Sequence, residues 1–419
     1  MSPGEIHSLT ATRALRAIGA GDLTAAELLA ACRARIATRD ETIGAFARLE
    51  TTESIPLLGA LAGVPVAIKD IVDTAGLGTE YGSQVFAGHV PTADADCVKR
   101  LRAAGAVILG KTVTTEFAHV TPKATCNPRD PARTPGGSSS GSAAAVADFM
   151  APLAIGTQTG GSVIRPASFC GTFGFKSSIG RTDTRGIHEL ARSLDTVGWF
   201  ARSAGDLRLM ASVLLDPPRT PAPRRARPRL ACLTTPYDSQ AEASAREARD
   251  KVCRQLSGVA DIVPVTLPAA YGELNALHRR IVSVEAARAF DAYEKRSPDR
   301  LSPLLREFIA LGHANEKGYA AALTEADAAR RIFDADIAHF DAFVLPAAPG
   351  EAPVGLGSTG EATFSLFLSL LGPPCATLPA ATGPAGMPIG VQFVGARGRD
   401  EELLDLVGWA AENLGLATD

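Results

Sequence analysis

The stretch from Pro135 to Ser168 constrains this chain more than any other. It reads PGGSSSGSAAAVA, continues through an apolar run, and then reads GTQTGGSVIRPAS. Two Gly/Ser clusters flank an Ala-rich segment long enough for a helix. Glycine lets a backbone bend or come close to a ligand, and hydroxyls beside it are what a nucleophile and its oxyanion hole require. A flexible linker uses the same residues. A linker, however, is not followed at once by buried-looking segments such as Ala143–Ala147 and Met150–Ile155.

Composition removes several function classes. The 419 residues are 46% hydrophobic and 21% charged, an ordinary globular balance. A net charge of −3 leaves no footprint for nucleic acid or an anionic membrane. Asp148, Gly and Pro interrupt the apolar runs before about eighteen residues, so no membrane span is expected. Met1–Asp22 lacks a basic start followed by an apolar block, so a cytoplasmic protein is expected. The seven cysteines are scattered with no C-x-x-C pair. That predicts reduced, mostly buried thiols and no zinc site.

Taken in order, Ser8–Ile36 predicts two amphipathic helices, with Leu28, Leu29, Cys32 and Ile36 at helical spacing. Asp40–Leu58 reads as a helix end and a loop. Val64–Ile68 is a short β-branched run and predicts a buried strand with Lys69 at its tip. Asp73–Gly88 reads as a loop, Ala95–Ala104 as a helix and Ala106–Leu109 as a strand, which together make a βαβ unit. Lys111–Ala118 is expected to begin a helix, and Pro122–Pro135 a loop. Later come a helix at Ala204–Leu215, strands at Leu230–Leu233 and Asp261–Val265, and a helix at Ala241–Leu256. Tyr271–His339 reads as helical with breaks, Phe343–Leu345 as a strand, and Ser365–Leu371 as either element. Met387–Gly395 reads as a strand and Glu401–Leu414 as a closing helix. Length alone allows two or three domains. The alternation predicts a single α/β domain over 1–419, a central mixed β-sheet covered by helices on both faces. Within it, 1–58 is an N-terminal helical segment and 59–215 the core. Residues 216–229 form a Pro/Arg-rich exposed connection, and 230–419 complete the same sheet.

Three chemistries suit a Gly/Ser block of this kind. A phosphate loop needs lysine directly after a glycine, and none follows Gly141 or Gly161. Gly137-Ser138-Ser139-Ser140-Gly141 matches the nucleophile elbow G-x-S-x-G, with Asp195 and then His278, His313 or His339 in the required order. The Ser-x-x-Lys pattern is absent, since Val66, Ile108 and Phe173 precede Lys69, Lys111 and Lys176 by three. A serine hydrolase with a more distant lysine base remains.

Val66-Ala-Ile-Lys69-Asp70, the run from Gly136 to Ala144, and Gly156-Thr-Gln-Thr-Gly-Gly-Ser162 together resemble the amidase signature family. The resemblance runs from about Leu61 to Lys176 and resumes at Pro388–Gln392. Ser138 and Ser162 stand 24 residues apart, which is also the family's spacing. Among compact stand-alone members, the run after Gly156 is most similar to the malonamidase type. The resemblance implies a Ser–Ser–Lys triad, with Ser162 as nucleophile. Ser138, on a cis peptide after Gly137, would relay the proton, and Lys69 would be the base. The N–H groups of Thr159, Gly160, Gly161 and Ser162 would form the oxyanion hole. A lysine serves as base only when burial keeps it neutral; Asp70, next along the strand, points to the opposite face.

Two departures fall on the substrate side. Gln158 stands where the family commonly has Asp, and Arg165 lies three residues after Ser162 where two is common. Gln158 and Arg165 are therefore the candidate substrate-binding residues. Arg165 would clamp a substrate carboxylate if Ser162 opens a helical turn, or else pair with a structural carboxylate. The expected activity is hydrolysis of a small amide to acid plus ammonia or amine, with esters and carbamates or urethanes open. The resemblance implies no metal or cofactor; no nucleic-acid or membrane partner is expected, and a homodimer is left open. The alternatives are an amidase-type component of a glutamine-dependent amidotransferase complex and an inactive scaffold.

Overall fold

The computed structural model describes residues 2–51 and 54–419. Its frame is one eleven-stranded mixed sheet. In chain order the strands are β1 (Phe46–Leu49), β2 (Pro65–Lys69), β3 (Val107–Thr112), β4 (Leu153–Gln158), β5 (Phe173–Lys176), β6 (Thr196–Ala201), β7 (Arg229–Thr234), β8 (Asp261–Thr266), β9 (Ala342–Pro346), β10 (Cys375–Thr382) and β11 (Pro388–Val394). Across the sheet they run β1-β3-β2-β4-β6-β5-β10-β11-β9-β7-β8. β2 is parallel to β3 and β4, and β7 is parallel to β8 and β9. Antiparallel pairs join these two blocks through β6, β5, β10 and β11. The expected βαβ unit is β2, the helix Asp96–Ala103 and β3.

Side chains alternate between the faces of a strand, and both faces here are buried. Val66 and Ile68 of β2 join one apolar cluster, and Ala67 joins a second. In β4, Leu153 and Ile155 join the first and Ala154 the second. The second side is built from small residues. Every residue of the helix Ser140–Ala147 is buried there. Gly141 is obligatory: a Cβ would lie 2.2 Å from the Ala45 carbonyl oxygen and 2.4 Å from the Val113 nitrogen. The Gly/Ser/Ala run thus brings a helix unusually close to its neighbours, which holds Ser138 and Ser139 at the strand ends.

The β2–β3 register carries a bulge. Val66 pairs with Ile108, but Ala67 pairs with Gly110, so Leu109 is skipped. The extra residue inverts the alternation. Lys111 then pairs with Ile68 and shares its face, and Lys69 pairs with Thr112 and shares the face of Ala67.

Most of the expected elements are present. The helix Ala25–Ile43 starts after Thr24, whose capping box with Glu27 is complete. The long helical region is Leu274–Arg296, Pro303–Asn315 and Tyr319–Ile337, and Thr363–Leu371 is a helix. Two readings are corrected. Lys111 does not begin a helix: β3 continues to Thr112, and only Glu116–Ala118 makes a 3-10 turn. Pairing on both sides, with β2 and β1, together with acceptors for the lysine inside the fold, overrides the helical pattern. Within the expected loop of Asp40–Leu58, Phe46–Leu49 forms the edge strand β1; Thr52 and Glu53 of that loop lie outside the described residues. β5, β6 and β10 are further strands that the sequence pattern does not mark. Among the described residues, no helix is long and apolar enough to cross a membrane.

Candidate active site

β2 and β4 are parallel neighbours, so their C-terminal ends lie side by side. Lys69 ends β2 and is wholly buried. Its Nζ lies 2.7 Å from Ser138 Oγ, 2.8 Å from Thr157 Oγ1 and 3.5 Å from the Thr157 carbonyl oxygen. Burial holds the Lys69 pKa well below its ordinary 10.5, against an opposing pull from Asp195. Among the described residues no carboxylate pairs with Lys69. Asp70 faces away, with Oδ1 at 4.0 Å from Lys111 Nζ.

Ser138 follows Gly137 through a cis peptide bond. Ser162 stands on the loop between β4 and the helix Ile164–Cys170. It is 8% exposed and lines a cavity of about 540 Å³. Its hydroxyl makes no hydrogen bond among the described residues, so the resting geometry joins Lys69 to Ser138 but leaves Ser162 free. Catalytic hydrogen bonds are often completed only when substrate arrives.

The loop before Ser162 has its carbonyls tied back. Thr159 O accepts from His278 Nε2 at 2.8 Å, Gly160 O from Ser369 Oγ at 2.5 Å, and Gly161 O from Arg165 N at 3.1 Å. The N–H groups of Gly160, Gly161 and Ser162 donate to no protein acceptor among the described residues, and these three residues line the cavity. Carbonyls held outward with amides left free is the arrangement that can receive a developing oxyanion. Thr159 additionally donates its hydroxyl to Asp195. Burial raises Asp195 to about 6 and lowers His278 to about 4, so the imidazole is neutral.

The substrate-side candidates divide. Gln158 does not reach the cavity. Its Oε1 accepts from Val163 N at 2.8 Å and Ile164 N at 3.0 Å, and its Nε2 donates to Ser369 Oγ at 3.1 Å. It braces the loop from below because β4 ends with this side chain turned under the turn it starts. Arg165 lines the cavity, with Nη1 donating to Gly360 O and Nη2 to Gly137 O, the latter at 2.5 Å. Ser162 precedes the helix and does not open it, so helical spacing does not carry Arg165 beside it.

The nucleophile-elbow alternative fails on geometry. Ser139 is fully buried, and its Oγ donates to Thr157 O at 3.2 Å and accepts from Thr157 N at 3.3 Å. His278 holds the Thr159 carbonyl, and His313 pairs with Glu294 at the surface. Sequence reasoning missed Thr157 and Ser369. Thr157 stood inside the same motif as Ser162; Ser369, more than two hundred residues on, carried no local signal.

A family model described as Amidase matches residues 27–404. A glutamyl-tRNA(Gln) amidotransferase subunit of Chloroflexus aurantiacus is 33% identical over 477 aligned positions, covering 98% of this chain and 97% of the relative. A crystal structure described as an amidase superposes with a TM-score of 0.88 at 31% identity, covering 97% of this chain and 100% of the other. A structure described as a vestigial protein complex, bearing on the origins of an s-triazine catabolic enzyme, gives 0.87 at 27% identity, covering 98% and 99%. The chain therefore belongs to the amidase signature family, hydrolases acting on amide C–N bonds.

Proposed function

We propose that this protein hydrolyses a small amide through a serine acyl-enzyme. The observation that carries the reading is the Lys69–Ser138 contact of 2.7 Å beside a free Ser162 and unpaired loop amides. Ser162 Oγ attacks the amide carbonyl carbon. Its proton passes to Ser138, whose own proton passes to the lone pair of neutral Lys69. The carbonyl oxygen becomes an oxyanion against the N–H groups of Thr159, Gly160, Gly161 and Ser162. Thr157 Oγ1 and O accept from the lysine while it is an ammonium. The proton returns through Ser138 to the leaving nitrogen, and the C–N bond breaks. Water then attacks the ester by the same relay, giving the acid and regenerating Ser162. All the protons are accounted for by these three side chains and the water.

A second reading has its own support. Relatives that serve as glutamyl-tRNA(Gln) amidotransferase subunits match nearly the whole chain at about one-third identity, and this favours a role as one component of a larger assembly. Both readings share the acyl-enzyme. They part on whether the chain releases ammonia from glutamine with partner proteins or acts alone on another amide. Gel filtration of the purified chain with a glutaminase assay separates them: glutamine turnover only with added partners selects the assembly.

The acyl-enzyme is tested with a fluorophosphonate probe and peptide mapping. Label is expected on Ser162 and absent in Ser162→Ala. Ser139→Ala keeps the label, and label on Ser139 with Ser162 clean would sink the assignment.

A further inference from the structure

Resting on the acyl-enzyme reading, we infer that the site takes an uncharged amide with an aryl or branched-alkyl body and discriminates against short dicarboxylic monoamides. The formal charges around the cavity are Arg165, Arg279, Glu307 and Glu361. Arg279, Glu307 and Glu361 are exposed and of both signs, so solvent screens them. His119 and His278 are neutral, each pushed down to about 4 by burial. Among the described residues that line the cavity Arg165 is the one buried charge, and both its terminal nitrogens donate to backbone carbonyls, of Gly137 and Gly360. Those bonds tie the peptide before Ser138 to the loop on the cavity rim. The guanidinium acts as a brace anchored at both terminal nitrogens; its buried Nε has no partner among the described residues, so a carboxylate would meet the remaining N–H groups of a fork already tied to two backbone carbonyls. An acidic substrate would lose hydration and compete for a guanidinium already shared with two backbone carbonyls.

The walls point the same way. Leu304, Phe308 and Leu311 lie at i, i+4 and i+7 of the helix Pro303–Asn315, so they share a face, and all three line the cavity. Val120, Val282 and Leu366 line it with them. Leu304, Leu311 and Val120 are 46%, 45% and 47% exposed. Large apolar side chains left in solvent around one cavity mark a surface that a ligand covers. Phe308 lies against His119 with ring centroids 4.5 Å apart and planes at 32°, a broad surface for a flat or branched group.

The test compares kcat/KM for 3-phenylpropionamide, isovaleramide, propionamide and malonamate on the purified full chain. 3-Phenylpropionamide is expected to exceed propionamide by about tenfold or more, since each added apolar group in such a pocket is worth about tenfold or more. Malonamate is expected to be the poorest. Phe308→Ala, and separately the surface change Leu311→Glu, should each lower the phenylpropionamide-to-propionamide ratio about tenfold. Arg165→Met should lower kcat for the neutral amides as well as for malonamate, as loss of a brace does; a rise in KM confined to malonamate would restore the clamp. A flat series, or malonamate as the best substrate, overturns the inference while propionamide turnover and a labelled Ser162 leave the acyl-enzyme standing. No turnover of any amide together with an unlabelled Ser162 overturns the acyl-enzyme itself.

Discussion

Lys69 and Lys111 stand on neighbouring strands and are both completely buried, yet they occupy opposite chemical worlds. Lys69 meets two hydroxyls and one distant carbonyl, with no carboxylate paired to it among the described residues. Lys111 donates to the Val72 carbonyl, to Thr79 Oγ1 at 2.9 Å and to Thr74 Oγ1 at 3.2 Å, with Asp70 at 4.0 Å. Burial lowers Lys111 only to about 8, because Asp70 and further anions oppose it, whereas Lys69 is driven well below its ordinary value. Burial is shared between the two; the partners differ. A neutral amine beside a serine can accept a proton, and an ammonium held by several acceptors is a structural tie.

Replacing each lysine by methionine should give the largest contrast. Lys69→Met is expected to lose about 10³-fold or more in kcat while remaining folded, the scale of removing a general base. Lys111→Met should keep turnover per folded molecule within a few-fold. It should lose about 1–3 kcal/mol of stability, because the acceptors around it are left unsatisfied. Urea unfolding with active-site titration measures both, and a folded but inactive Lys111→Met would reverse the assignment.

The pH dependence sharpens the same contrast. In the proposed relay Lys69 acts as the neutral amine, so kcat/KM should rise with pH through its depressed pKa and fall about tenfold per unit below it. Lys69→Met should lack that limb. For Lys111 the folded pKa of about 8 lies below the ordinary 10.5. The folded state then binds fewer protons than the unfolded chain, so this lysine's contribution to stability is present above 10.5 and is lost as pH falls towards 8. The Tm difference between wild type and Lys111→Met should therefore shift in favour of wild type as pH rises across that window.

Two smaller effects test the supports. Gln158→Leu removes the acceptor for the amides of Val163 and Ile164. A fall of about tenfold in kcat with little change in KM is expected, on the scale of losing these two buried hydrogen bonds to the loop. Smallest is Thr157→Val. Thr157 Oγ1 accepts from Lys69 Nζ at 2.8 Å, and an acceptor favours the ammonium form, so its loss should move the activity limb to lower pH by about one unit. A limb moving upward would show that the hydroxyl favours the neutral amine.

The Gly/Ser block, the position of Lys69 after a β-branched run and the alternation of helices and strands were all legible in the sequence. These are local properties: small residues permit close helix packing, and a short β-branched apolar run marks a buried strand. Edge strand β1 was not legible, because Phe-Ala-Arg-Leu shows no alternation and exists as a strand only through β3. Nor was the continuation of β3 through Lys111, since a charged residue reads as a strand end until its acceptors are known.

Sequence alone, through the family resemblance it carries, pointed to the side chains that could supply a nucleophile, a relay and a base, and placed them within about a hundred residues of one another. Tertiary structure decided which lysine burial leaves without a carboxylate partner among the described residues, because one skipped residue in β3 sends Lys111 towards Asp70 and away from the serines. It also turned Gln158 under the loop, braced Arg165 on two carbonyls, and brought the apolar face of Pro303–Asn315 to the mouth of the site. Desolvation and hydrogen-bond partnership depend on neighbours distant in the chain, and these set a pKa and a specificity that residue identity and spacing leave open.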